Sequence, residues 1–406
     1  MARIAFICPP FAAHVASFRA LGEELIRRGH EPFFLLNAGA QAATGDIPVH
    51  HVPARAHDPD AAEVLARAEN PKGVLATLRT IADSAAMTDQ LCAGGVEVLR
   101  EAGADAIVGD QMEPAGFLLA GAHRLPFCGL AAAVPIDPAP GVPLPFLDWP
   151  YQPEEVAKLR RTAAIGDALS RRQNKVIADW AARFGLAPAA RLSDCLGTTQ
   201  IAQMIPALDF PRPEPLPFVP VGPLRRPEEL VDVPLPFIRP ADRPLVFATM
   251  GTMLGGEMKV WRALAEACRQ AGAALVIAHG GRLSEQQVAG FGVHHAADFL
   301  PYRAVMKAAD LVITHGGSNT VLDALASGTP LLVRPVGFDQ PGNLARIRHH
   351  GLGEKLASLR KPGEIAAQIR RVIGDAQVKA NVARVAAALA GTGGAVAGAE
   401  VVETLL

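Results

Sequence analysis

The chain has 406 residues, with 39 Lys and Arg against 40 Asp and Glu, so its formal net charge is −1. This balance excludes a strongly basic protein whose partner would be nucleic acid. Hydrophobic residues make up 50% of the chain, which is enough for a large core and excludes a chain that is disordered throughout. At about 100–200 residues per domain, the length predicts two domains.

Cysteine spacing and apolar runs bear on the compartment. The five cysteines are scattered, without any CxxC pair, so they predict reduced thiols rather than disulfides or a metal site. No run of 18 or more uncharged apolar residues occurs, and the first ten residues lack the pattern of a signal peptide. We therefore expect a cytoplasmic protein with no metal. The cysteines are Cys8, Cys92, Cys128, Cys195 and Cys268.

The first half of the chain alternates between predicted strands and helices. An apolar strand at 2–8 is followed by a helix from about His14 to Arg28 and a second strand at 32–36. A later apolar strand at 106–109 runs directly into Asp110. This alternation predicts a doubly wound α/β domain, to which we assign residues 1–205.

A proline-rich segment and a second α/β pattern follow. Residues 206–240 contain eleven prolines; because proline fixes φ and has no backbone N–H, this segment is predicted to be an extended linker. Residues 241–384 repeat the strand-helix pattern and predict a second doubly wound domain. The Ala-rich tail, about 385–406, is predicted to be helical and to pack back on the first domain. The predicted strands of the second domain are 245–249, 275–278, 311–314 and 331–334.

The segment 311–320, with the sequence LVITHGGSNT, is the most informative motif. An apolar strand ends in a His-Gly-Gly turn and enters a helix whose first turn carries hydroxyl and amide side chains. Glycines let a ligand approach the backbone, and a helix N-terminus favours an anion, so the turn predicts a diphosphate site. An ordinary strand-to-helix turn capped by Ser or Asn is the alternative. Further on, Asp339 and Gln340 offer an acid and an amide suited to the hydroxyls of a neutral polyol.

Other phosphate and hydrolase motifs do not fit this chain. The Gly-rich loop at 249–256 is not the GxGxxG of a dinucleotide site, and no GxxxxGK[ST] loop exists, which excludes P-loop ATPases and GTPases. Residues 316–320 come close to the GxSxG elbow of esterases, but the last position is Thr320 rather than glycine. The sequence therefore disfavours an esterase.

His14 and Asp110 are the candidate catalytic residues of the first domain. Each follows a predicted strand, and the carboxyl ends of parallel strands form the edge where open α/β sheets bind ligands. A histidine held by a carboxylate at one ring nitrogen can take a proton with the other. Either residue alone can also be an N-cap, so it is the pairing that favours a dyad.

Together these motifs resemble the family-one nucleotide-sugar glycosyltransferases of the GT-B fold. The donor-binding signature of that family runs through His315–Thr320, Asp323, the Gly-Thr-Pro at 328–330, and Asp339-Gln340. Further matching segments resemble the members that glucosylate carotenoids such as zeaxanthin, and they cover nearly the whole chain. The resemblance implies two Rossmann-like domains with a cleft between them. The further segments are 9–15, 109–116, 125–127, 208–212, 221–225, 279–283 and 338–342.

The resemblance implies an inverting transfer of glucose from UDP-glucose, with no metal and no cofactor. His14 would be the general base and Asp110 would orient it. Family members commonly carry Trp-x-Pro-Gln before the donor motif; here Phe299-Leu-Pro-Tyr302 stands there, so the base, uridine or thymidine, stays open. The donor-binding residues implied are Thr252, Phe299, His315, Gly317, Asn319, Thr320, Asp323, Asp339 and Gln340.

The acceptor is expected to be a lipophilic, hydroxylated molecule. Phe11, Met112, Phe146 and Trp149 are the candidate contacts, although Phe146 and Trp149 can equally be packing residues of their own domain. Because a carotenoid dissolves in the bilayer, we expect the protein at the cytoplasmic face of the membrane, with the proline-rich loop at 143–150 as a docking edge. The alternatives are a macrolide, flavonoid or other polyketide acceptor, a nucleotide-sugar-binding helper, and a GT-B epimerase.

Overall fold

Two parallel β-sheets organise the computed structural model, which describes residues 1–68, 74–251 and 255–406. The strands of the first sheet are β1 (Arg3–Ile7), β2 (Glu31–Leu36), β3 (Val49–His51), β4 (Ala106–Asp110), β5 (Phe127–Ala131), β6 (Thr199–Ala202) and β7 (Val219–Pro220). This seven-stranded sheet has the order β3-β2-β1-β4-β5-β6-β7. Helices connect its strands: α1 (Ala12–Arg27), α2 (Ala61–Ala68), α3 (Val74–Ala102), α4 (Ala115–His123), α5 (Val156–Leu169) and α6 (Arg171–Arg183).

The second sheet has six strands in the order β10-β9-β8-β11-β12-β13. They are β8 (Leu245–Thr249), β9 (Ala274–Ala278), β10 (His295–Ala297), β11 (Leu311–Thr314), β12 (Leu331–Val333) and β13 (Gly353–Lys355). The helices of this half are α7 (Pro227–Leu230), α8 (Met258–Ala271), α9 (Glu285–Ala289), α10 (Tyr302–Ala308), α11 (Ser318–Ala326), α12 (Gln340–His349), α13 (Pro362–Gly374), α14 (Ala376–Ala390) and α15 (Gly394–Glu403).

The central strands explain why the sheets form. Every residue of β4, β8, β9 and β11 is buried, as expected for parallel strands that helices cover on both faces. The parallel register pairs Ile7 with Gly109 in the first sheet and Thr314 with Thr249 in the second. Neighbouring strands therefore end side by side, and the loops after them share one edge of each sheet. The prediction of a doubly wound α/β fold is confirmed.

Residues 206–240 are not an extended linker throughout. β7 lies within this range and pairs with β6, with Ile201 opposite Val219, while Phe218 and Val221 are buried. A proline at the edge of a sheet costs no ladder bond, so a proline-rich segment can still add an edge strand. The first sheet thus extends into the range predicted to be a linker.

The C-terminal helix returns to the first sheet. Ala395, Ala399 and Val402 of α15 belong to the core cluster formed around β1 and α1. At the surface, Nη1 of Arg28 lies 2.7 Å from Oε2 of Glu403. The end of the chain therefore covers α1, the helix that carries His14.

All five cysteines are buried and free, and that they are reduced stays a prediction. Among the described residues, no group of three His, Cys, Asp or Glu side chains could hold a metal ion, and independence from metal stays a prediction. In the same part of the chain no single helix is long and apolar enough to cross a membrane; α14 and α15 meet that criterion only as a pair bent by 42°.

Candidate active site

His14 and Asp110 meet at the carboxyl edge of the first sheet. His14 lies in the first turn of α1, shortly after β1, and Asp110 is the last residue of the neighbouring strand β4. Nδ1 of His14 lies 2.7 Å from Oδ2 of Asp110. The Asp110 side chain is fully buried, and its Oδ1 accepts the backbone N–H of Met112 at 2.8 Å. The structure therefore brings the two predicted residues together and fixes the carboxylate.

The surroundings of His14 favour its protonated form. Burial by itself lowers the pKa of this imidazole, but the charge of Asp110 and the hydrogen bond to it outweigh burial, and the pKa is raised. Asp339 of the second domain acts in the same direction. Because Nδ1 is hydrogen-bonded to Asp110, Nε2 is the nitrogen that can take a proton from a substrate. The side chain is 17% exposed, so it stays accessible from the cleft.

A second buried carboxyl, that of Glu113, lies three residues beyond Asp110. Its Oε1 accepts hydrogen bonds from Oγ1 of Thr88 at 2.8 Å and from the backbone N–H of Ala115 at 3.2 Å. Burial raises the pKa of Glu113 to about 7, with the charge of Asp110 contributing. Sequence reasoning did not select this residue. The only signal in the sequence was its position three residues after Asp110.

Replacing Glu113 with glutamine is expected to change how stability depends on pH. Since the folded-state pKa, about 7, lies above the ordinary value of 4.5, the folded protein holds the proton more tightly. The stabilisation by this bound proton is complete below the ordinary pKa and is lost as pH rises through the folded-state pKa. As pH rises from about 4.5 to about 7, the free energy of unfolding of the wild-type protein should fall by roughly 2–4 kcal/mol relative to that of Glu113→Gln. Urea unfolding of both proteins along a pH series measures it. A parallel pH dependence for the two would contradict the expectation.

The His-Gly-Gly turn joins β11 to α11. The N-cap position is Gly317, and no side chain caps the helix, so the alternative of a turn capped by Ser or Asn does not apply. The first-turn N–H groups and the helix dipole make this end of α11 suited to an anion. Burial lowers the pKa of His315 to about 4, so the imidazole beside the turn is neutral at physiological pH and can donate a hydrogen bond.

Gly316→Ala is expected to distort this turn. Gly316 has φ of +94°, and a Cβ atom there would lie 2.6 Å from Cγ1 of Val333. Positive φ and the close contact together should cost roughly 1–3 kcal/mol of stability. They should also raise KM for the nucleotide-sugar donor that the sequence resemblance implies by about tenfold. Gly328→Ala at the other end of α11 is the matched control, because φ is +77° there and no atom lies within 4 Å. Unchanged donor KM in Gly316→Ala would argue against a donor role for the turn.

Asp339 and Gln340 stand beside the same helix end. Oδ2 of Asp339 accepts hydrogen bonds from Oγ of Ser318 at 2.6 Å and from Nδ2 of Asn343 at 3.1 Å. Burial raises the pKa of Asp339, while Ser318 and the nearby His14 act against that shift. Oε1 of Gln340 accepts the backbone N–H of Val336 at 2.7 Å, so its amide also holds its own loop. The predicted sugar contacts thus lie next to the predicted diphosphate turn.

Asn319 and Asp323 make contacts across the domains that the sequence did not suggest. Nδ2 of Asn319 donates to the backbone carbonyl of Ala13, the residue before His14, at 3.1 Å. Oδ1 of Asp323 accepts Nε of Arg225 at 2.7 Å, and Nη2 of Arg225 donates to the backbone carbonyl of Asn319 at 3.0 Å. Arg225 therefore holds the face of α11 that carries both residues, and Asn319 ties α11 to the helix of the candidate base.

Gln203 connects these groups to the first sheet. This buried amide follows β6, and its Nε2 donates to Oδ1 of Asn319 at 3.0 Å and to Oγ of Ser17 in α1 at 3.1 Å. Its Oε1 accepts Nη1 of Arg225 at 3.0 Å and the backbone N–H of Leu224 at 2.8 Å. Sequence reasoning missed both Gln203 and Arg225. The signal for Gln203 was its place at the end of a strand, the same criterion that selected Asp110.

Phe299, Thr320 and Thr252 are the remaining predicted donor residues. Phe299 follows β10 and is 69% exposed, so its ring face is available for stacking. The hydroxyl of Tyr302 lies 2.7 Å from Oγ1 of Thr249, which fixes it at the end of β8. Thr320 lies in the first turn of α11 and is half-buried. Thr252 lies outside the described residues.

The predicted acceptor residues divide into two groups. Phe11 lies beside the dyad, with its ring centroid 6.3 Å from that of His14 and 6.3 Å from that of Phe338 in the second domain. Met112 follows Asp110 and is 40% exposed. Phe146 and Trp149 lie on the proline-rich loop, where Nζ of Lys158 lies 4.7 Å from the centre of the Trp149 ring. Neither ring is in aromatic contact with His14 among the described residues.

A buried ion cluster fixes the second domain against the segment after β6. Oδ2 of Asp209 accepts Nε of Arg212 at 2.6 Å, and Oδ1 accepts Nε of Arg346 in α12 at 2.7 Å. All three side chains are almost fully buried. Burial raises the pKa of Asp209, but the two guanidinium groups outweigh it and lower that pKa. Since α12 begins at Gln340, the cluster also anchors the candidate sugar loop.

Two curated proteins match this chain over nearly its whole length. The zeaxanthin glucosyltransferase of Pantoea ananas is 35% identical over 416 residues, covering 100% of this chain and 96% of the relative. That of Pseudescherichia vulneris is 36% identical and covers 99% of this chain and 98% of the relative. Residues 259–393 match the family described as the glycosyltransferase family 28 C-terminal domain.

The fold is shared with solved glycosyltransferase structures. The glycotransferase of kitacinnamycin superposes with a TM-score of 0.74 at 19% identity, covering 100% of this chain and 99% of that one. At this identity the similarity concerns the fold, whereas the full-length identity to the two curated relatives concerns the family. The chain therefore belongs to the GT-B glycosyltransferase family that includes the zeaxanthin glucosyltransferases.

Proposed function

We propose that this enzyme transfers glucose from UDP-glucose to a hydroxyl group of a carotenoid such as zeaxanthin, with inversion at the anomeric carbon. The observation that carries the proposal is that one cleft joins a base to an anion site. Nδ2 of Asn319, in the first turn of α11, donates to the carbonyl of Ala13, next to His14. The His14–Asp110 dyad and the uncapped helix end thus face the same reaction space.

His14 is the general base of the proposed reaction. Its Nε2 takes the proton of the acceptor hydroxyl, and the imidazolium that forms is stabilised by Asp110. The acceptor oxygen attacks the anomeric carbon from the face opposite the diphosphate, and the bond between that carbon and the diphosphate oxygen breaks. The reaction therefore forms one glycosidic bond, releases UDP and inverts the anomeric configuration.

Charge that develops on the leaving diphosphate is met by the N-terminus of α11. The first-turn N–H groups, Thr320 and the neutral imidazole of His315 offer hydrogen bonds that strengthen as the leaving group gains charge. Asp339 and Gln340 bind the glucose hydroxyls, Asp323 the ribose, and Phe299 stacks on the base. Thr252 is the remaining diphosphate contact of the proposal. No metal or cofactor takes part in these steps.

The acceptor proposal rests on the relatives and on the apolar residues at the cleft. The two curated relatives are named zeaxanthin glucosyltransferases. Phe11 contacts both His14 and Phe338, so an apolar acceptor can lie between the domains. Met112, Phe146 and Trp149 are the further acceptor contacts of the proposal. A carotenoid lies in the bilayer, and we therefore place the enzyme at the cytoplasmic face of the membrane, with the loop 143–150 toward the lipid.

A donor and acceptor panel tests the proposal. The purified protein is incubated with labelled UDP-glucose or TDP-glucose and with detergent-dispersed zeaxanthin, a macrolide or a flavonoid. We expect β-glucosylated zeaxanthin from UDP-glucose, at the same rate with and without EDTA. Turnover of the macrolide or flavonoid without any carotenoid product would refute the carotenoid acceptor, and product from TDP-glucose alone would refute the donor.

A further inference from the structure

Helix α5 is unusual in this strongly apolar protein because none of its residues is buried. It spans Val156–Leu169, fourteen residues, whereas surface helices of globular proteins normally bury an apolar stripe. Its inner side approaches the proline-rich loop: a Cβ atom at Gly166 would lie 3.3 Å from Leu144 and 3.6 Å from Phe146. The helix therefore packs on this loop and on α6, whereas its outer residues Arg160, Arg161, Ile165 and Leu169 stay exposed.

The outer side of α5 combines apolar and basic residues. Arg161, Ile165 and Leu169 follow one another at four-residue spacing, which places them on one helix face. Ile165 is 56% exposed and Leu169 is 40% exposed, and Phe146 of the adjoining loop is 47% exposed. Exposing several large apolar side chains together is costly unless another apolar phase covers them.

The charge around α5 is positive although the whole chain is nearly neutral. Residues 156–175 contain six basic residues and one acidic residue, Asp167, which lies 3.0 Å from Arg191. Glu154 and Glu155 come just before the helix, and Lys175 is paired with Asp179. Four exposed arginines of this segment form no ion pair with a described carboxylate. These four are Arg160, Arg161, Arg171 and Arg172.

We propose that α5 and Phe146 form a docking surface for a bilayer that contains anionic lipid. Ile165, Leu169 and Phe146 would insert at the level of the headgroups, and the arginines would bind the lipid phosphates. This combination of apolar and basic residues on an exposed helix is what an interfacial helix requires. An acidic protein partner would use the arginines but would leave the inserted side chains unexplained.

The docking surface lies beside the cleft. The proline-rich loop 143–150 contacts both α5 and the second domain. The carbonyl of Pro145 accepts the backbone N–H of Gly342, in the first turn of α12, at 2.8 Å. Asp339 and Gln340 lie at the beginning of that same helix. A hydroxylated acceptor leaving the bilayer at α5 would thus reach the reaction space over a short path. This route rests on the proposed function, whereas the lipid contact itself does not.

Vesicle sedimentation tests the docking surface. The full-length protein is mixed with vesicles of phosphatidylcholine, alone or with phosphatidylglycerol, at low and high salt. We expect binding to the anionic vesicles that weakens with salt. At about 1 kcal/mol for each basic residue near the lipid surface, Arg160→Glu with Arg161→Glu should weaken binding by roughly 30-fold or more. Ile165→Asp should also weaken it.

The matched control is Lys379→Glu with Arg384→Glu, which reverses two exposed charges on α14. It should leave vesicle binding within about twofold of the wild type, since α14 packs on α11 in the second domain. Circular dichroism checks that all variants are folded. The proposal would be overturned if the Arg160→Glu, Arg161→Glu variant bound anionic vesicles as well as the control does. It would also be overturned if the wild-type protein did not bind them.

Transfer to detergent-dispersed zeaxanthin separates docking from acceptor binding. If α5 acts only on lipid, the α5 variant keeps its rate in micelles and loses it with zeaxanthin in vesicles. Loss of the micellar rate together with unchanged vesicle binding would make α5 a wall of the acceptor groove instead and would overturn the proposal. If the wild-type protein binds anionic vesicles but glucosylates no carotenoid, the docking surface stands and the proposed function fails.

Discussion

His14→Ala is expected to lower kcat for glycosyl transfer by about 10²–10⁴-fold, the usual contribution of a positioned general base. Nδ1 of His14 lies 2.7 Å from Oδ2 of Asp110, so the imidazole is oriented and its protonated form is stabilised. Donor binding should change little, because the α11 turn is untouched. Steady-state kinetics and calorimetric titration with UDP measure the two effects. A kcat within a factor of a few of the wild type would show that His14 is not the base.

Asp110→Asn supplies the control for the role of the dyad. A base must be unprotonated, so the rate rises with pH through the pKa of His14. Asp110 raises that pKa; without the carboxylate the acid side of the rate profile should move to lower pH, and the maximal rate should fall because the imidazolium is no longer stabilised. An unchanged acid side would mean that a different group titrates.

Asp209→Ala is expected to destabilise the protein by about 3–5 kcal/mol, because it leaves two buried guanidinium groups without their shared carboxylate. Asp209 and Arg346 are 3% and 1% exposed, so water cannot easily replace the lost charge. The free energy of unfolding from urea denaturation measures the loss. Asp209 also joins the segment after β6 to α12, so the transition should become less cooperative between the two domains.

An exposed ion pair provides the comparison for the buried cluster. Nζ of Lys175 lies 2.6 Å from Oδ2 of Asp179 on the surface of α6, and Asp179→Asn should cost less than about 1 kcal/mol. If Asp209→Ala were as mild as this control, Arg212 and Arg346 would have to find other acceptors in the folded protein. The cluster would then not determine how the domains are held together.

The sequence predicted the framework because that framework follows local rules. Continuous apolar runs such as 245–249 and 311–314 identify buried parallel strands, and such strands deliver the residues that follow them to one edge. This reasoning predicted that His14 and Asp110, which are 96 positions apart in the sequence, lie close together. It was also enough to place the His-Gly-Gly turn at the start of a helix.

The contacts between domains could not be predicted in the same way. Asp323 meets Arg225 from 98 positions away, and Asn319 meets Ala13 from 306, and no periodicity encodes the angle at which two sheets face each other. The family resemblance implied that Asn319 and Asp323 contact the donor, but it did not show that both already have protein partners. Similarly, the prolines of 206–240 indicated an extended segment but not that β7 joins a sheet.

The position of Gln203 has a consequence for water. Its single amide bonds to α1, to Arg225 and, through Asn319, to the donor turn. Because Ser17 and Gln203 lie in the same domain, a rotation that separates the domains must break the hydrogen bond between Gln203 and Asn319 as it opens the cleft to solvent. The closed cleft is therefore stabilised by an amide that contacts the first turn of α11. If the proposed transfer takes place in this cleft, the same hydrogen bond disfavours hydrolysis of the sugar donor, because it keeps the cleft closed to water.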